Sequence, residues 1–105
     1  MATDLGQTSS KTTTGLNIHW AWDEDFFKFK TANTTVKNYQ VSVAYTTGTA
    51  PLAIEIFNAA AMKIAQSNGA NYVRFPVVKN TSYSVRVYCP TRLLHGYSLT
   101  VKKYN

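Results

Sequence analysis

Residues 39–45 read Tyr-Gln-Val-Ser-Val-Ala-Tyr, and this stretch decides the fold class because large apolar and smaller side chains alternate in it. Successive side chains of a β-strand point to opposite faces, so the four odd-numbered residues of the stretch share one face. An α-helix would instead place apolar residues three or four positions apart. The stretch therefore predicts a β-strand with one face buried and one face exposed.

The same alternation recurs on both sides of this stretch, with turn residues between the segments. Residues 59–67 are ambiguous, because their alanines favour a helix whereas Met62 and Ile64 alternate; we predict a strand that ends in a hairpin turn at Asn68-Gly69. The Ser/Thr-rich residues 8–15 are predicted to be a loop or a ragged edge. The other alternating segments are residues 16–20, 26–30, 52–57, 72–78, 83–87 and 97–101.

About eight short strands at regular spacing predict an all-β fold, a single jelly-roll-like antiparallel β-sandwich that spans residues 1–105. Pro76 within an alternating segment predicts an edge strand or a bulge there, because proline cannot donate a ladder hydrogen bond. Alternation also predicts the residues that point into the core: Phe27, Phe29, Val41, Val43, Ile54, Ile56, Val85, Val87, Leu99 and Val101.

Composition restricts the function classes. Only 15% of the residues are charged and the net charge is +6, with cations scattered along the chain rather than in a block. No stretch approaches 18 continuous apolar residues, which excludes a transmembrane helix. The single cysteine, Cys89, cannot form an internal disulfide and is expected to be a small apolar strand residue.

Catalysis finds no support in the sequence. His19 and His95 are the only histidines, and neither lies in a recognisable nucleophile motif. With Cys89 they do not make a zinc-finger spacing. Three of the five carboxylates crowd into residues 23–25, so a pair facing across a cleft is not indicated. We expect the domain itself not to be an enzyme and to have no catalytic residues.

Five motifs follow one another along nearly the whole chain. They are Ala-Thr-Asp-Leu-Gly (2–6), Asp-Glu-Asp-Phe-Phe-Lys-Phe (23–29), Leu-Ala-Ile-Glu-Ile-Phe (52–57), Thr-Ser-Tyr-Ser-Val-Arg-Val-Tyr (81–88) and Gly-Tyr-Ser-Leu-Thr-Val (96–101). Their order resembles that of the bacterial pre-peptidase C-terminal domain family. The resemblance implies a jelly-roll-like β-sandwich that follows the catalytic domain of a secreted protease and has no chemistry of its own. The collagen-binding domains of clostridial collagenases share this architecture. We therefore expect a domain excised from a larger secreted protein.

A calcium site is the sharpest cofactor hypothesis. Asp23 and Asp25 place hard oxygen ligands close together, as calcium requires, and the collagen-binding relatives use acidic residues just before this strand. Those relatives add an acidic N-terminal segment, where this chain offers only Asp4. The alternative is an acidic turn whose aspartates accept hydrogen bonds from nearby backbone N–H groups. We favour this alternative and expect no cofactor, with calcium bound weakly at most.

The candidates for ligand binding are aromatic residues that strand alternation places on the face opposite the core. Strand parity places Arg86 and Tyr88 on the face opposite Val85 and Val87, where a tyrosine beside a cation forms a typical binding pair. Trp22, next to the acidic turn, is a further contributor from the rim. The alternatives are that the tryptophan caps one end of the sandwich, and that a neighbouring loop covers Tyr88.

These observations predict a non-catalytic accessory domain of a secreted bacterial hydrolase or adhesin, located outside the cell. Its expected partners are an extracellular protein or polysaccharide polymer and the parent catalytic domain. Nucleic acid is not favoured, because the cations are scattered and no ribonucleoprotein motif occurs. Two alternatives stay open: a processing or secretion-linked domain without a ligand, and a carbohydrate-binding module.

Overall fold

A computed structural model describes residues 3–18, 24–47, 52–89 and 95–104, and within these ranges the chain forms nine β-strands and no helix. None of the described residues therefore belongs to a helix that could span a membrane. The strands are β1 (Thr3–Thr8), β2 (Ser10–Ile18), β3 (Glu24–Thr31), β4 (Asn38–Thr47), β5 (Ala53–Phe57), β6 (Lys63–Gln66), β7 (Tyr72–Pro76), β8 (Ser82–Tyr88) and β9 (His95–Tyr104).

The strands form two sheets that pack face to face, which confirms the predicted all-β sandwich. One sheet has five strands in the order β1-β3-β8-β5-β6, and the other has four in the order β2-β9-β4-β7. Every pairing is antiparallel except that of β1 with β3, which is parallel. The sandwich is thus antiparallel in all but its first strand. The parallel pairing of β1 was not predicted from the sequence.

The core lies between the sheets and contains the residues that strand parity predicts. All ten residues predicted to point inward are at most 3% exposed. An aromatic cluster fills one part of this core. The ring centroid of Phe29 lies 5.7 Å from that of Tyr39 and 5.9 Å from that of Tyr83. Cys89 also belongs to the core and is fully buried, as expected for a small apolar residue, but it is not the strand residue predicted, because β8 ends at Tyr88.

Of the two alternatives predicted for residues 8–15, a loop or a ragged edge, the loop is wrong, because β1 ends at Thr8, β2 begins at Ser10 and both are edge strands of their sheets. β2 pairs along β9, and its threonines suit a strand although they do not alternate with apolar residues. The register shifts between Thr13 and Leu16, where Gly15 adopts a φ of +72° that favours glycine. An edge strand that buries little apolar surface leaves no periodic signal in its sequence.

The strand predicted over residues 59–67 is shorter than expected. Residues 58–62 form a turn, and only Lys63–Gln66 forms a strand. Asn68 and Gly69 do have the positive φ values of a tight turn, but they lead from the five-stranded sheet to the four-stranded one, so the predicted hairpin does not form. Pro76 ends β7, which is an edge strand, as its proline predicts.

Candidate functional site

Strand β8 lies at the centre of the five-stranded sheet and sets out the candidate site. Its burial alternates residue by residue, so that Tyr83, Val85 and Val87 face the core while the remaining side chains lie on the outer face. Arg86 and Tyr88 are therefore on the outer face, each half-buried. The ring of Tyr88 keeps part of its surface open to solvent.

Arg86 is held by residues of both neighbouring strands. Its Nη1 donates to Oε1 of Glu55 on β5 at 2.8 Å, and its Nε donates to Oε2 of Glu24 on β3. The guanidinium carbon also lies 3.9 Å from the centroid of the Tyr88 ring. Burial lowers the pKa of Arg86, but the hydrogen bonds and charges of Glu55 and Glu24 outweigh it and raise that pKa above its usual value.

The charges around Arg86 therefore balance within the protein. Glu55 also lies 3.5 Å from Nζ of Lys63, which gives a cluster of two cations and two carboxylates. An acidic ligand would have to compete with Glu24 and Glu55 for the guanidinium. Cross-strand pairing brings these groups together, and the arrangement suits a structural ion-pair cluster better than an open cation for a ligand.

A groove on the same outer face lies beside this cluster. It has a volume of 660 Å³ and is lined by aromatic, small and basic side chains from three adjacent strands and the turn after β5. In one row across the sheet, Lys28 on β3 pairs with Ser84 on β8, and Ser84 pairs with Phe57 on β5. Serine at the centre of the row leaves space between larger neighbours, so the groove opens over β8. The lining residues are Phe26, Lys28, Phe57, Asn58, Ala59, Ala61, Ser82 and Ser84.

The turn at residues 58–62 forms one wall of the groove, and its own hydrogen bonds hold it in place. Oδ1 of Asn58 accepts from the backbone N–H groups of Ala60 at 2.9 Å and Met62 at 3.0 Å. The backbone N–H of Asn58 donates to the carbonyl of Met62, which closes the turn. Ala61 has a φ of +62° at its tip. This wall is therefore a defined turn rather than an extended strand.

The acidic segment before β3 is described only in part. Asp23 and Trp22 lie outside the described residues, so the rim contribution predicted for Trp22 and half of the predicted calcium site stay predictions. Asp25 is half-buried, and its Oδ2 accepts a hydrogen bond from the hydroxyl of Tyr97 at 2.5 Å. That bond joins β3 to β9 across the two sheets. Within the described ranges, no three His, Cys, Asp or Glu side chains come together to form a metal site.

Sequence reasoning placed Arg86 and Tyr88 on the outer face but did not find the groove beside them. A signal for it exists, because Phe26 and Phe57 have the parity opposite to their core neighbours Phe27 and Ile56. Each aromatic residue alone is an ordinary surface side chain. Only the pairing of β3 and β5 with the serines of β8 shows that the two rings border one groove.

Several solved structures share this fold at low sequence identity. The pre-peptidase C-terminal domain of a Bacillus anthracis collagenase matches with a TM-score of 0.67 and 20% identity, over 97% of this chain and 95% of that one. Aeromonas hydrophila PliG, a periplasmic inhibitor of g-type lysozyme, matches with a TM-score of 0.69 and 13% identity, over 98% and 97% of the two chains. The Yersinia pseudotuberculosis-derived mitogen matches with a TM-score of 0.68 and 13% identity, over 91% and 86%.

These similarities establish the fold. No protein-family model matches the chain, and no curated protein is similar to it in sequence. The resemblance to the pre-peptidase C-terminal domains thus holds at the level of architecture, which an inhibitor and a mitogen share. A fold common to three such different proteins does not itself assign a function.

Proposed function

We propose that this chain is a non-catalytic accessory domain of a secreted bacterial hydrolase or adhesin, and that it binds an extracellular protein through the groove between Phe26 and Phe57. The groove carries the proposal. The proposal moves the centre of the predicted site from Arg86 to the apolar surface next to it, with Tyr88 on the same outer face. The contribution of Trp22 stays a prediction, because this residue lies outside the described ranges.

The dimensions and chemistry of the groove suit an apolar anchor side chain of a ligand. Its 660 Å³ fall within the range of about 300–1,000 Å³ that is typical of ligand sites. Phe26 is 37% exposed and borders the same groove as the half-buried Phe57, so two aromatic rings are available to one ligand side chain. Three paired strands supply the floor and one side, so the site is rigid before a ligand arrives and binding loses little conformational entropy.

A protein ligand fits this groove better than a sugar does. Sugars need several hydrogen-bonding side chains around an aromatic platform. This lining includes four polar residues, Lys28, Asn58, Ser82 and Ser84, but most of its exposed surface is apolar. The Oδ1 atom of Asn58 already accepts two backbone N–H groups of its own turn. The fold similarities support a binding role too, because this architecture serves an inhibitor and a domain of a collagenase.

Sedimentation with insoluble polymers tests the proposal. The domain is mixed with fibrillar collagen, as a protein polymer, and with crystalline cellulose, as a neutral polysaccharide. We expect it to sediment with collagen, and we expect Phe26→Ala and Phe57→Ala each to weaken that binding about tenfold, as for an aromatic residue at the centre of an interface. Val78→Ala is the matched control, because Val78 is 64% exposed and lies away from the groove.

The other outcomes separate the alternatives. Binding to cellulose alone would favour a carbohydrate-binding module, and binding to neither polymer would favour a processing or secretion-linked domain without a ligand. Collagen binding that depends on Arg86 and Tyr88 but not on Phe26 would return the site to the position that the sequence predicts. Thermal unfolding of each variant shows whether the fold is intact.

A further inference from the structure

The outer face of the four-stranded sheet has a composition unlike that of the face with the groove. Its outward-pointing side chains form rows across the strands, as the pairing of β4 with both neighbours shows. One row contains Lys102, Gln40 and Arg74 on β9, β4 and β7, and the next row contains Thr100, Ser42 and Tyr72. Thr12 on β2 extends the second row, and its hydroxyl lies 3.0 Å from that of Thr100. The face is thus rich in hydroxyl and amide groups, with the exposed residues Tyr72 and Tyr104 on β7 and β9.

Charge is divided unequally between the two sheets. The five-stranded sheet contains four carboxylates and four cations, so its strands have no net formal charge. The four-stranded sheet contains four cations and no carboxylate in its strands, a formal charge of +4. Arg74 and Lys102 point outward at the middle of the face. Lys11 and Lys103 are exposed but pair with the core-facing residues Val101 and Tyr39, so they do not belong to it. Among the described strands, the outer face of this sheet therefore contains two cations and no carboxylate.

Arg74 is fixed in place although no described carboxylate pairs with it. Its guanidinium carbon lies 4.0 Å from the ring centroid of Tyr104 and 4.8 Å from that of Tyr72, and its Nε donates to Oε1 of Gln40 at 2.9 Å. Arg86 on the other sheet also stacks on a tyrosine, but Glu24 and Glu55 neutralise it. Arg74 thus presents a preorganised charge to solvent, and a guanidinium binds a carboxylate with two parallel hydrogen bonds.

We propose that this face binds an acidic polysaccharide whose carboxylates occur on alternate sugars. Arg74 and Lys102 lie in one row two strands apart, which corresponds to about 10 Å. This separation is close to the length of two linked sugar rings, and Gln40 between the cations can bind a sugar hydroxyl. The threonine and serine hydroxyls of the next row offer further partners to a neutral, hydroxyl-rich polymer backbone.

A nucleic acid fits this face less well. Each strand of DNA carries a charge about every 3.4 Å, and proteins that bind it need cations along the whole path. Two central cations separated by an uncharged glutamine match a polymer with sparse charge. The guanidinium of Arg74 already covers the rings of Tyr72 and Tyr104. The two rings are therefore better suited to positioning this cation than to stacking on nucleic-acid bases.

Titration calorimetry of the whole domain at low salt tests this inference. The probe is a hyaluronan octasaccharide, in which a uronate alternates with an uncharged sugar. We expect saturable binding that Arg74→Gln weakens about tenfold, because a charge-assisted hydrogen-bonded pair is lost. Lys102→Gln, in the same row, is expected to have a similar effect. Lys30→Gln removes the same charge from the exposed face of the opposite sheet and should leave the affinity within about twofold, since it changes only the long-range field.

Three results would overturn the inference. One is the absence of hyaluronan binding by the folded domain. Another is an equal loss of affinity for Arg74→Gln and Lys30→Gln, which would mean that net charge alone attracts the polymer. The third is tighter binding of a thymidine oligonucleotide that depends on Arg74, which would make this face a nucleic-acid surface. Phe26→Ala should not change hyaluronan binding, so this test and the test of the groove can fail independently.

Discussion

Tyr39 shows how single buried residues tie the chain together. Its side chain is fully buried and stacks on Phe29, yet its hydroxyl is satisfied in both directions. It donates to the backbone carbonyl of Thr8 at 2.6 Å and accepts from the backbone N–H of Ala32 at 2.9 Å. One phenol therefore links the end of β1 to the residue after β3, at a point where the chain passes from one sheet to the other.

Removing that hydroxyl should lower stability more than its size suggests. In Tyr39→Phe the ring still fills the core, but the backbone groups of Thr8 and Ala32 lose their partner, so we expect the free energy of unfolding to fall by about 1–3 kcal/mol. Urea denaturation measures this. Tyr72→Phe is the control, because Tyr72 is 41% exposed. Equal losses for the two variants would mean that water replaces the buried hydroxyl at no cost.

Asp25 is the residue on which the calcium hypothesis can be tested. Its carboxylate faces Tyr97 on the other sheet, so one of its oxygens already has a partner. We expect millimolar calcium to leave the melting temperature unchanged within about 1 °C. If a site did bind calcium, a calcium concentration 100 times the dissociation constant would raise the free energy of unfolding by about 2.7 kcal/mol. Each kcal/mol raises the melting temperature of a domain of this size by about 4–8 °C. A rise of several degrees that Asp23→Ala abolishes and Lys79→Ala does not would show that a complete site exists.

At the scale of elements, the turn after β5 is more constrained than its sequence suggests. Residues 58–62 bend the chain so that β6 can pair with β5, and they form a wall of the groove. Ala61 adopts a φ of +62°, a left-handed conformation that costs an L-residue other than glycine about 1–2 kcal/mol. The hydrogen bonds to Asn58 offset that strain.

Glycine at the tip of this turn should therefore stabilise the domain. Ala61→Gly relieves the left-handed strain, and after the entropy that glycine adds to the unfolded chain we expect a net gain of about 0.5–1 kcal/mol in urea denaturation. Ala60→Gly adds the same entropy at a position without a positive φ and should destabilise slightly. A loss of stability in both variants would show that the turn relaxes around alanine without strain.

Some elements could be predicted from the sequence because burial leaves a periodic trace. The central strands alternate strictly, and every core residue that this alternation predicts is buried. This alternation does not predict a strand that buries little apolar surface, such as β2. It also does not predict where a turn replaces part of a strand, as before β6. The site depended on more than periodicity. Pairings between distant segments of the chain bring Arg86 to Glu24 and Glu55, and they place Phe26 and Phe57 around one groove. No local sequence pattern contains this information.

At the scale of the whole molecule, the two outer faces of the sandwich differ in chemistry. The groove side combines phenylalanines with cations that pair with Glu24 and Glu55, and the other side combines tyrosines and hydroxyls with two cations that pair with no described carboxylate. Strand alternation separates the outward residues that carry the two proposals, such as Phe26 and Arg74, from the core residues beside them in the same strands. Substitutions on either face should therefore alter binding without altering the fold, which is why each proposed test has its control on the other face or in a loop.

The order of strands in the sheets also governs how the chain must find its structure. Seven strand pairings connect the nine described strands, and only that of β5 with β6 joins neighbours in the sequence. Every other pairing must close a long loop before its hydrogen bonds can form. The chain therefore loses conformational entropy before these hydrogen bonds compensate for it. Proteins dominated by such contacts refold in about milliseconds to seconds, whereas a lone hairpin forms in about 1–10 μs. We expect stopped-flow refolding of this domain to be in the slower range, and a refolding time of microseconds would contradict this topology.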